Sequence, residues 1–81
     1  MDAYLEEELY DLLIACIKDP NAAAAGKERI AGIGRELHAD GGVDAMENMF
    51  FSIEHRIKEE ISADALPYRA WWNGIDGAWK Y

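Results

Sequence analysis

Few side chains in this sequence are of a type and spacing that could do chemistry, and they are scattered. The histidines are His38 and His55. His38 lies near Asp40 and Asp44, and His55 precedes Glu59 by one helical turn. Imidazole and carboxylate at such spacings can share a metal ion, but a site needs three or four converging ligands. In a chain with sixteen acids, pairs of this kind arise by accident. No metal ligand set is therefore expected. Cys16 is the single cysteine, so no internal disulfide can form, and its place on the apolar side of a helical pattern marks it as a small buried hydrophobe rather than a reactive thiol. Ser52 and Ser62 are the hydroxyl candidates, and no nucleophile arrangement is visible around them. The segment Gly32-Ile33-Gly34, followed by Arg35, Glu36 and Leu37, imitates part of a dinucleotide-binding loop. It lacks the third glycine, and the strand-to-helix turn that gives such a loop its function is missing. The sequence thus predicts no catalytic residues, no cofactor and no enzyme.

The least ordinary chemistry is aromatic. Trp71, Trp72 and Trp79 lie with Tyr68 and Tyr81 near the C-terminus. Adjacent tryptophans on a helix diverge by about 100°, so one docking face can cover only one of Trp71 and Trp72. The other is expected at a rim, where Trp and Tyr serve as interface anchors.

These residues must be positioned by helices. From Val43 to Ile61, apolar side chains recur at steps of three and four: Val43, Met46, Phe50, Ile53, Ile57 and Ile61 form one stripe, with Met49 beside it. Asp44, Glu47, Glu54, Lys58 and Glu59 fall away from the stripe, and Phe51 points a quarter-turn off it. Residues 2–18 give a first helix with Leu5, Leu9, Leu12 and Cys16 on one face, widened by Leu13, Ile17, Tyr10 and Ile14. So broad an apolar arc suits a central helix or a contact outside the monomer. Pro20 ends that helix. A second should run over residues 22–39, with Gly26 and Gly34 on its apolar stripe for close backbone approach, whereas Gly32 has no such reason. Asp40-Gly41-Gly42 reads as a helix stop and a short connection, so that the second and third helices make an antiparallel hairpin. Pro67 should open a short last helix that ends at Asn73-Gly74 and docks through its aromatics.

The prediction is one all-α domain over residues 1–81, a small helical bundle of three main helices with a short C-terminal capping helix. Eighty-one residues allow a single modest core. The charge of −8 makes free nucleic acid and anionic lipid poor partners. No apolar run is long enough to span a membrane, and the N-terminus starts with acids where a secretory signal carries positive charge, so a cytoplasmic location is expected. The functional expectation is a non-enzymatic interaction or regulatory module that self-associates as a homodimer, using Tyr10, Ile14, Phe51, Trp71, Trp72 and Trp79. The alternative is an acidic inhibitor that imitates nucleic acid to occupy a basic protein. Its row would be Glu36, Asp40, Asp44, Glu47 and Glu54, in a stretch between Arg35 and Arg56 that has no Lys or Arg.

Overall fold

The computed structural model describes residues 3–81; Asp2, placed at the start of the first predicted helix, lies outside them. The described residues are all-α, with no named strand. The elements are α1 (Ala3–Lys18), α2 (Pro20–Ile61) and a 3-10 helix (Leu66–Trp72). None of the helices is long and apolar enough to cross a membrane.

α1 and α2 are separated by Asp19 alone. Its backbone is extended, and its carboxylate accepts a hydrogen bond from the Asn21 amide at 3.0 Å, which makes it an N-cap. Pro20 therefore opens α2 rather than separating two helices by a loop, because a proline at the first helical position loses no hydrogen bond it would otherwise make.

The predicted break at residues 40–42 is also tighter than expected. Two helical arms abut there with no loop between them, and the one residue with non-helical angles is Gly42, at φ 71° and ψ −161°. That region is open essentially to glycine alone. A straight 42-residue helix would be about 63 Å long, whereas the longest dimension of the described chain is 29 Å. α2 must bend sharply at Gly42, and its two arms, residues 20–41 and 43–61, line the same core.

Leu9, Leu13 and Cys16 of α1 meet Ile30, Ile33 and Leu37 of the first arm and Met46, Met49, Phe50, Ile53 and Ile57 of the second; Ala65, Trp72 and Trp79 close the cluster. Met49 joins the centre rather than its edge. α2 ends at Ser62, in the left-handed conformation, whose amide bonds the Lys58 carbonyl at 3.0 Å. The last helix is 3-10 and not α: it opens with the Leu66 amide on Asp64 Oδ1 at 2.9 Å and makes i→i+3 bonds such as Tyr68 N to Ala65 O.

Candidate functional site

The tail is anchored by groups that each need a partner once buried. The Trp72 indole is buried edge-on against Phe50, ring centroids 5.2 Å apart, and its Nε1 donates to the Ile30 carbonyl at 2.8 Å. Gly34 makes this approach possible, because a Cβ there would stand 2.7 Å from Trp72 Nε1 and 2.8 Å from Ile75 Cδ1. Trp79, also buried, donates from Nε1 to the Arg69 carbonyl at 2.7 Å. Asp76 accepts the Ala78 amide and sits 2.7 Å from His38 Nε2, tying the last turn to the first arm of α2.

Arg69 is the tail's contact with the second arm. Only 5% exposed, its guanidinium donates to Glu47 at 2.8 Å, to Glu54 at 3.0 Å and to the Tyr81 hydroxyl at 3.2 Å, beneath the rings of Phe50, Trp79 and Tyr81. Burial works against its charge, but the hydrogen bonds it donates to the two carboxylates, with their charge, more than offset this, and Arg69 titrates above the usual arginine range. Its partners remain partly open to water, so the cluster is both an internal clasp and the floor of a surface feature. Above that floor lies a groove of about 390 Å³ whose walls include Phe51, Leu66 and Tyr81. These are 65%, 48% and 55% exposed, three of the four large hydrophobic side chains left exposed among the described residues. Leu66 and Tyr81 continue with Pro67, Ala70 and Asp64 into an adjoining apolar depression.

The six predicted partner residues divide. Phe51 lies on the groove, its ring stacked on His55, and the tail covers Phe50 rather than Phe51. Trp71 is the outward tryptophan of the adjacent pair: half-buried, packed edge-on against Tyr68, with Lys27 Nζ 5.6 Å from its ring centre. Trp72 and Trp79 are core residues, each with its indole N–H satisfied, so neither is available to a partner in the folded chain. Tyr10 and Ile14 are half-buried against the core; Tyr10 also bonds Glu60 and lies under the Arg56 guanidinium at 3.9 Å. The broad apolar arc of α1 is thus largely used within the monomer.

The groups examined for chemistry are dispersed. Cys16 is buried and its thiol pKa is pushed up by that burial. Ser52, although three residues before His55, donates to Glu6 at 3.2 Å, and His55 pairs with Glu59 at 3.2 Å on the open surface. Among the described residues no three His, Cys, Asp or Glu side chains converge as a metal set. The proposed acidic row is interrupted in space: Arg69 takes Glu47 and Glu54, and Arg29 stands 3.5 Å from Glu36. The sequence marked Tyr81 as one of the tail's aromatics and Leu66 as a docking residue of the last helix, but did not bring either to Phe51, and it gave Arg69 no role. The available signal was five acids with no Lys or Arg among them between Arg35 and Arg56, which asks for a cation from elsewhere in the chain. Comparison with family models, with curated proteins and with solved structures finds no match to this chain.

Proposed function

We propose that this chain is a small non-enzymatic interaction module that docks a protein partner in the groove walled by Phe51, Leu66 and Tyr81. The observation that carries the proposal is the convergence of three exposed large hydrophobic side chains on one depression, in a protein whose other large apolar groups are almost all covered. Scattered exposed hydrophobics are ordinary; a contiguous group rimmed by charge marks a contact surface. The floor supports the same reading, since the Arg69 clasp fixes the relative positions of the 3-10 helix, the C-terminus and the second arm before any partner arrives.

The test is selection of binders from a displayed random-peptide library against the folded protein, followed by counter-screening on Phe51→Ser. Phe51 is exposed enough that the variant keeps its fold, which circular dichroism verifies. Enriched peptides should lose binding to Phe51→Ser. Peptides that bind both proteins equally, or no enrichment at all, would remove the groove as a docking face.

A further inference from the structure

Resting on that reading, we infer that the groove's partner is a basic amphipathic segment: an apolar side chain or stripe that enters between Phe51, Leu66 and Tyr81, flanked by lysine or arginine. The apolar walls select for the first property. The second follows from the charges around them. Glu47 and Glu54 line the groove and share one buried guanidinium, so that pairing leaves an excess of negative charge at the floor. Asp64 lies on the adjoining depression, Asp44 stands three residues before Glu47 on the same side of the arm, and Glu59 follows His55 by one turn. Against these five acids stand Arg69, Lys58 and His55 of the groove's own lining, Lys58 also lying with Glu54 and Asp64 on a neighbouring depression, so the acids remain in excess. A helix with an apolar stripe and basic flanks meets both features at once, the arrangement by which amphipathic helices enter grooves. A second copy of this chain fits less well, because it would bring a further −8 of charge to an already acidic face.

Three synthetic helical peptides test the inference. All carry the same leucine stripe, and the remaining positions are lysine in one, glutamine in the second and glutamate in the third. The lysine peptide should bind about tenfold more tightly than the glutamine peptide, with an advantage that shrinks as sodium chloride rises; the glutamate peptide should bind worst. Phe51→Ser should abolish binding of the lysine and glutamine peptides alike. The combined variant Asp44→Asn, Glu59→Gln, Asp64→Asn should erase the lysine advantage and leave the glutamine peptide bound. It spares Glu47 and Glu54, whose loss would strand Arg69, and the asparagine that replaces Asp64 keeps a side-chain oxygen for the Leu66 amide. Equal binding of the lysine and glutamine peptides, lost in Phe51→Ser, would overturn the basic-partner inference and leave the docking face standing. A Phe51-dependent homodimer in sedimentation equilibrium would do the same, by showing a second copy in the groove. Lysine-peptide binding indifferent to Phe51→Ser, or no binding by any peptide, would overturn both.

Discussion

Two glycines two residues apart in the same arm of α2 meet opposite demands. A Cβ at Gly34 would stand well inside van der Waals distance of the Trp72 ring, held by its indole bond to the Ile30 carbonyl, and of Ile75, whose amide donates to the Trp72 carbonyl. A Cβ at Gly32 would meet only the tips of Arg35 and Arg29, at 3.7 and 3.8 Å, which is ordinary contact with mobile side chains. Alanine gains about 1 kcal/mol over glycine inside a helix, while forcing an extra carbon into a filled site costs about 1–3 kcal/mol. Gly32→Ala should therefore raise the urea midpoint, and Gly34→Ala should lower it despite the propensity gain. A Gly34→Ala protein as stable as wild type would mean that the tail shifts away from α2 at little cost. The apolar stripe made close approach at Gly34 legible in the sequence, although Gly26, on the same stripe, makes only ordinary contacts at 3.6 Å. The identity of the approaching ring was not legible, because Trp72 is thirty-eight residues away.

At the scale of elements, Gly42 sets the shape. Its φ of 71° with ψ of −161° is strained for any L-residue, and nothing lies within 4 Å of the L-Cβ position, so an L-substitution there tests the backbone alone. Gly42→Ala should destabilise the fold by about 1–3 kcal/mol. D-Alanine at the same position has the mirror-image preference, for which these angles are an ordinary extended conformation. In a chain short enough for total synthesis it should stabilise by about 0.4–1 kcal/mol, through the entropy it removes from the unfolded state. Equal destabilisation by both enantiomers in thermal melts would show that the bend is set by packing and not by the glycine. The helices themselves were legible because a period of 3.6 survives in the sequence wherever one face is buried. The joints were legible in part: two glycines after an aspartate mark the break that Gly42 makes, but not that the connection takes a single residue. The groove escaped for a related reason, since Phe51, Leu66 and Tyr81 belong to three separate segments and their proximity depends on where Arg69 finds its acids.

For the whole molecule, the −8 charge and the individual ion pairs pull stability in opposite directions as pH falls. Protonating acids from neutral pH toward the isoelectric point near 4.5 relieves self-repulsion and should strengthen the fold. Glu8 and Asp76 act the other way. Hydrogen bonds from Arg29 hold the Glu8 carboxyl below its ordinary 4.5, and the Ala78 amide, then His38, hold Asp76 below 3.8. For a carboxyl whose pKa is lower folded than unfolded, the unfolded chain binds protons first. The stabilisation is complete above the unfolded value and is lost as pH falls through the folded one. The two effects together predict a denaturant midpoint that rises on acidification to about pH 5 and then falls steeply below about pH 4. Glu8 ties α1 to the first arm of α2 and Asp76 ties the tail to it, with no shared partner, so their contributions should add. Glu8→Gln and Asp76→Asn should each make the acid limb shallower, and the double variant shallower by both amounts, while the rise between neutral pH and about pH 5 is kept because the other acids still discharge. An acid limb of unchanged steepness in the double variant would assign acid unfolding to a different group.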